Sequence, residues 1–302
     1  MRRTLAIILA ALLALSLTAC GGSSSSTASS EPAASSAQTD AAQTASIPTG
    51  VEDGVLTIAM ECAYAPYNWT QSDDSNGAVP ISNVPGSYAN GYDVMIAKKI
   101  CEANGWDLEI VRLDWDSLIP AVQSGQVDAV IAGQSMTAQR AEQVDFAGPY
   151  LYATIVCLTK KGSDLENAKG ISDLAGHSCT SQLSTIWYDN CLPQVENADI
   201  RSGRESAPLM LTALETGEVD FVCCDMPTAQ GALKAYSDFV LLDFAGSGDD
   251  FTVSDEEINI GISVQKGNTE LLDAINAVLE PMGRDDFNAL MAEAVSIQPI
   301  GD

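Results

Sequence analysis

The sequence predicts an α/β protein built as two similar lobes, each a mostly parallel sheet flanked by helices. One observation is the alternation of short β-branched runs with helical stretches, the pattern of parallel strands joined by crossover helices. The other is an internal similarity at a spacing of 92 residues, which lays Leu118 to Gly133 over Met210 to Asp225. Both segments read as a helix, a glycine that stops it (Gly125, Gly217) and a strand that opens with Val-Asp. The repeat implies two sheets of the same build. It also sets Gly133 and Asp225 at matching positions just past the carboxyl ends of matching strands, where open α/β sheets hold their ligands.

In chain order, Arg2 and Arg3 precede an apolar stretch that ends in Leu17-Thr18-Ala19-Cys20. From Leu5 to Ala19 it is 15 residues long, short of the roughly 20 that a membrane-spanning helix needs, so residues 1–19 read as a secretory signal. Small residues before a cysteine resemble a bacterial lipobox, in which the thiol is acylated and becomes the mature N-terminus, and Cys20 is the expected lipidation site. Residues 20–50 are the expected tether. They are mostly Ser, Ala, Thr, Gln and Gly with no aromatic residue, too polar to bury a core. A flexible coil of that length spans on the order of 30 Å.

Roughly 250 residues follow, enough for two lobes with proper cores. Val55–Met60 is a short apolar run and reads as a strand. Residues 93–103 read as a helix with Asn104-Gly105 as its stop. Strands are expected at 108–113 and 127–132, with a helix at 118–124 between them. Residues 70–87, rich in Asp, Ser, Asn and Pro, read as a surface loop.

Composition excludes several classes of function. Without Arg2 and Arg3 the mature chain sets 12 basic against 41 acidic side chains, a net charge of −29, which repels nucleic acid and anionic lipid. Beyond Cys20 there are seven cysteines, with no CxxC pair and no spacing of a zinc or haem site. Cys157, Cys223 and Cys224 lie in apolar runs, so buried thiols outrank a disulfide framework; Cys179 with Cys191 is the first pair to check. The one histidine, His177, sits in a turn and is ill placed for a catalytic triad. No Gly-rich phosphate loop, HExxH motif or calcium loop occurs, so no cofactor or metal is expected.

These residues resemble the bacterial solute-binding proteins of family 3, the polar amino-acid receptors of ATP-driven importers. The likeness runs from about Val55 to Val295. It rests on an ordered series: Gly91-Tyr92-Asp93 opening a helix, Trp115 to Ala121, Ser124-Gly125, Asp128, Ala132-Gly133, Arg140, Val144-Asp145-Phe146 and Pro149-Tyr150. The resemblance implies a two-lobed, periplasmic-binding-protein-like fold of type II with hinge crossings near 150–154 and 256–260. The larger lobe is then 51–151 plus 258–302, and the smaller one 152–257.

The resemblance also implies a site. Arg140 matches the arginine that holds the ligand α-carboxylate, which a planar guanidinium grips through two parallel bonds. Ser135 matches a hydroxyl on the same group, and Gly133 a backbone carbonyl that accepts from the α-amino group. Asp225 matches the carboxylate that pairs with that amino group from the smaller lobe. Thr185 matches the threonine whose backbone N–H completes the carboxylate site at a helix start; Ser184 stands before it where the family has glycine. Tyr64 and Trp115 match aromatic walls for the ligand side chain, and Glu61 an acidic group at its far end. A carboxylate straight after Leu-Thr-Ile-Ala-Met is expected at the cleft or exposed, not buried unpaired.

The expected function is capture of an amino acid, cationic or glutamine, by a monomer that is held to the membrane only through its lipid and feeds a transmembrane permease. An enzyme of the cyclohexadienyl dehydratase type, or a ligand-sensing module, is the alternative. The first needs a catalytic acid or base in the cleft, for which Glu61 is the candidate.

Overall fold

The computed structural model describes residues 51–299; the signal, Cys20 and the tether lie outside them. Two five-stranded sheets carry the architecture. The first contains β1 (Val55–Met60), β2 (Asp107–Arg112), β3 (Ala129–Val130), β4 (Val144–Leu151) and, from near the end of the chain, β10 (Ile260–Gln265). The second contains β5 (Ile155–Lys160), β6 (Ser178–Thr180), β7 (Asp199–Ile200), β8 (Phe221–Asp225) and β9 (Phe239–Leu242). Their orders are β2-β1-β3-β10-β4 and β7-β6-β8-β5-β9.

The two orders are the same plan. In each sheet four strands run the same way and one, β10 in the first and β5 in the second, runs against its two neighbours. The sheets are thus mostly parallel, as expected, each mixed by a single reversed strand. The reversed strands follow from the connectivity: β4 ends at Leu151, and β5 enters the second sheet at Ile155 against the direction of β8. In return, β10 enters the first sheet against β3 and β4.

The repeat holds down to single side chains. Helix α1 (Tyr92–Asn104) follows the first strand; α2 (Leu118–Gln123) and, after the one-turn α3 (Ala138–Ala141), α4 (Ala207–Glu215) are the paired helices of the repeat. They are followed by Gly125 at φ +72° and Gly217 at φ +74°, the left-handed conformation that glycine adopts without a Cβ penalty. The aspartates of the two Val-Asp pairs then do the same work. Asp128 accepts from the Thr57 N–H at 2.8 Å, and Asp220 from the Ser178 N–H at 2.8 Å, each tying its strand to a parallel neighbour.

The stretch at 70–87 is more ordered than a loop. Ala63–Tyr64, Asn68–Gln71, Tyr88–Asn90 and Val79–Pro80 form a small antiparallel sheet, and Ile81 bridges to Ile110 of β2. This sheet seats Tyr64 and Tyr67 beside the end of β3. Strand β3 is shorter than expected because the chain turns out of the sheet at Gly133, whose φ is +64°.

Candidate functional site

Two of the sequence-derived candidates bring the sheets together from opposite sides. Asp225 ends β8 and caps helix α5 (Met226–Ala235), accepting from the Thr228 N–H at 2.8 Å through Oδ1. Its other oxygen accepts from the Tyr67 hydroxyl at 2.8 Å and the Tyr64 hydroxyl at 3.3 Å. The residue is 0% exposed. Burial pushes its carboxyl above the usual carboxylate range, against the pull of these hydrogen bonds. No lysine, arginine or histidine forms an ion pair with it among the described residues.

Arg140 is the complementary case. Thr137 caps α3 by accepting from the Arg140 N–H at 3.2 Å, so the turn that carries the arginine is held at its start. Its guanidinium donates to the Ser135 carbonyl and the Ser184 carbonyl, both at 2.8 Å, and lies 5.2 Å from the Trp115 ring centroid. No carboxylate forms an ion pair with it among the described residues. Desolvation lowers its pKa to about 10, which leaves it charged at neutral pH.

Gly133, Gln134 and Ser135 run between these two charges. A Cβ on Gly133 would lie 2.9 Å from Cε1 of Tyr64, so the backbone passes tightly under the ring. The Gly133 N–H donates to the Tyr150 hydroxyl at 3.0 Å, and Tyr150 donates to the buried Asp93 at 2.7 Å. Asp93 also accepts from the Asn68 amide at 2.7 Å; burial pushes its pKa up to about 7. Ser135 is buried and bridges to Ile260 at the start of β10.

Thr185 and Glu61 meet through a residue that the sequence reading did not single out. The Thr185 hydroxyl donates to the Gln182 carbonyl at 2.7 Å, while the Gln182 amide lies 3.4 Å from both oxygens of Glu61. Ser184 takes φ +58°, so the left-handed turn expected of glycine is kept by serine. The helix start expected after Thr185 is a π-helical turn at Trp187–Cys191. Glu61 is 6% exposed, on the wall of a cavity, and its partner is a neutral amide. Burial raises its pKa to about 7, and the nearby Asp114 and Asp116 push the same way.

A cavity of about 520 Å³ opens beside Glu61, with Arg112, Trp115, Asp116 and Glu205 on its wall. A second, of about 310 Å³, shares Trp115 and Asp116 and reaches Arg140 and Ser184. The structure thus joins Tyr64, Gly133 and Asp225 in one group, and Trp115, Ser135 and Arg140 in another. Glu61 and Thr185 connect through Gln182. Tyr67 and Gln182 carry no periodicity, since Tyr67 lies in a turn and Gln182 in an isolated bridge to Arg204. The only sequence signal was their nearness to Tyr64 and Thr185.

All seven described cysteines are free thiols and buried, including Cys179 and Cys191. No group of metal-binding side chains occurs among the described residues, and no described helix is long and apolar enough to cross a membrane.

The chain is similar in sequence and fold to known proteins. The chain is 28% identical over 277 residues to a probable histidine-binding protein of Neisseria gonorrhoeae, covering 88% of this chain and 85% of that one. It is 25% identical over 288 residues to an arginine-binding extracellular protein of Bacillus subtilis, 93% of each chain. An ancestral arginine-binding protein, solved bound to arginine, shares 29% identity and superposes with a TM-score of 0.61, covering 80% of this chain and 97% of its own. The architecture is the two-lobed, periplasmic-binding-protein-like fold of type II. The model of the bacterial extracellular solute-binding proteins, family 3, matches residues 56–293, and the chain belongs to that family.

Proposed function

We propose that this protein captures an α-amino acid between its two lobes, unchanged, and delivers it to an ATP-driven importer from the outer face of the cell membrane. The observation that carries the reading is a pair of opposite charges without protein counter-ions: the enclosed Arg140 guanidinium and the buried Asp225 carboxylate, joined by the Gly133 to Ser135 backbone. A zwitterion complements such a pair. Its carboxylate meets Arg140, the Ser135 hydroxyl and the Thr185 N–H; its ammonium meets Asp225 and the Gly133 carbonyl. Trp115 and Tyr64 wall the side chain. The acidic cavity with Glu61, Asp114, Asp116 and Glu205 favours a cationic end, with glutamine next. Relatives named for histidine and arginine support that class.

A ligand that touches both lobes binds their closed arrangement better than the open one and so shifts the population toward closure. The larger lobe of this clamp is 51–151 plus 258–302 and the smaller 152–257. Cys20, acylated, and the segment to residue 50 tether it to the membrane; Cys20→Ala should release it from washed membranes.

Calorimetric titration of the parent, Arg140→Ala and Asp225→Asn with L-arginine and L-histidine tests the charge pair. Each variant should lose about 3–5 kcal/mol of binding, because a desolvated ligand charge is left unpaired. Binding within threefold of the parent by either variant would remove that residue from the site.

A further inference from the structure

We infer that Tyr67 is a positioning residue for ligand capture: its hydroxyl, reaching across from the first sheet's side, holds the Asp225 carboxylate in the orientation that meets the ligand ammonium. The inference rests on the reading of Asp225 as the ammonium's partner, and deepens it.

The geometry separates Tyr67 from its neighbours. Thr228 holds Oδ1 of Asp225 from three residues away at 2.8 Å, a local cap that leaves the carboxylate free to pivot about that oxygen. Tyr67 stops the pivot by donating to Oδ2 at 2.8 Å from 158 residues away. Tyr64 reaches the same oxygen at 3.3 Å and itself accepts from the Thr228 hydroxyl at 3.0 Å, so its bond is the longer one. An ionised carboxylate offers about four acceptor sites. The N–H and hydroxyl of Thr228 and the hydroxyls of Tyr67 and Tyr64 all bond to this carboxylate, so its orientation is set by protein donors from both sides.

Only the hydroxyl of Tyr67 is needed for this. Its ring is fully buried, stacked on Tyr64 at 4.8 Å and edge-on to Tyr92 at 6.2 Å, contacts that a phenylalanine keeps. The Asp225–Tyr67 bond also joins elements of different sheets, so it forms only as those sheets approach. Asp225 is thereby fully held in the arrangement that binds ligand.

The titratable groups that face Asp225 are Tyr64 and Tyr67 from the small sheet, Cys224 from its own strand and Asp93 from α1, with no cation among them. Removing one donor from this set should therefore show directly in its protonation. The test follows the carbon-13 signal of the Asp225 carboxyl against pH in the parent, Tyr67→Phe and Tyr64→Phe. It is paired with titrations of L-arginine and L-histidine. Tyr67→Phe should move the Asp225 midpoint up by about one pH unit, as expected for loss of a bond to a charged group, and Tyr64→Phe by less. Affinity should fall about tenfold, and the loss should shrink as rising pH ionises the carboxyl. In case Tyr67→Phe fails to fold, 3-fluorotyrosine at position 67 keeps ring and hydroxyl, strengthens the donor and should move the midpoint down. A midpoint that moves in neither variant overturns the inference alone. Unchanged affinity in Asp225→Asn overturns the underlying reading, and the inference with it.

Discussion

The Glu61 carboxylate and the Gln182 amide meet across the two sheets, the amide nitrogen 3.4 Å from both carboxylate oxygens. A neutral donor compensates a buried charge only in part, so Glu61 titrates at about 7 rather than its ordinary 4.5. Between those values the folded protein keeps a proton that the unfolded chain has lost. The contribution of Glu61 to stability is therefore full below pH 4.5 and is lost as pH rises through 7. The loss can reach about 3 kcal/mol. Glu61→Gln should remove it, so the parent should drop more in melting temperature between pH 5.5 and 8 than the variant does. Asp93, raised in the same direction, acts equally in both proteins and cancels in the difference. Parallel melting curves across that range would contradict the assignment.

The glycine at the site should be less tolerant than the glycine of the repeat. Gly217 stands at φ +74° with nothing within 4 Å of a Cβ, so Gly217→Ala should cost only the left-handed backbone penalty of about 1–2 kcal/mol. Gly133 stands at φ +64° with Tyr64 Cε1 at 2.9 Å and Tyr67 Cδ1 at 3.1 Å. Gly133→Ala should add an overpacking cost of about 1–3 kcal/mol, and should weaken binding by displacing both rings. Denaturant melts of the two variants check the difference; equal losses would show that the tyrosines give way freely.

How much of this was legible in the sequence depended on the range of the interactions. Val55–Met60 and the helix that starts at Tyr92 follow from local pattern, and both were readable to within a residue or so. The repeat was readable because Gly125 and Gly217 end their helices by local backbone geometry. The antiparallel strands β5 and β10 were not, since their direction is set by the chain crossing between sheets. The polar composition of 70–87 concealed the strand pairs Gln71 with Tyr88 and Val79 with Ala89. Gln182 with Glu61 and Tyr67 with Asp225 join residues 121 and 158 positions apart, where no periodicity carries information.

The thiols should be inert in the folded protein. Cys157 and Cys223 face each other in register on β5 and β8, yet both are free and fully buried. Burial pushes the Cys62 and Cys179 thiols up to about 12, and Cys101 to about 11, so thiolate is scarce at neutral pH. An aromatic disulfide reagent should react with all seven only after denaturation, and a reductant should leave the melting temperature unchanged. A lower melting temperature in reductant would reveal a disulfide.

Ligand class turns on what Glu61 presents to the cavity. The acidic wall of Glu61, Asp114, Asp116 and Glu205 faces one cation, Arg112, so the space is negative in balance and favours a positive side-chain end. An ionised carboxylate accepts hydrogen bonds and donates none; once Glu61 is ionised, an ammonium or guanidinium gains a charge-assisted bond that a second carboxylate cannot make. Trp115 adds a flat apolar face, which suits the planar and weakly hydrated guanidinium. The parent should therefore rank arginine and lysine above glutamine, and glutamine above glutamate. Because Glu61 ionises at about 7, arginine should bind more tightly at pH 8 than at pH 6, while glutamine changes less. Glu61→Gln should flatten that pH dependence and narrow the gap between arginine and glutamine by about tenfold, the order expected for one charge-assisted bond. Calorimetric titration of both proteins with the four amino acids at the two pH values decides. Tightest binding of glutamate by the parent, or the same ranking and pH slope in the variant, would place the side-chain recognition elsewhere.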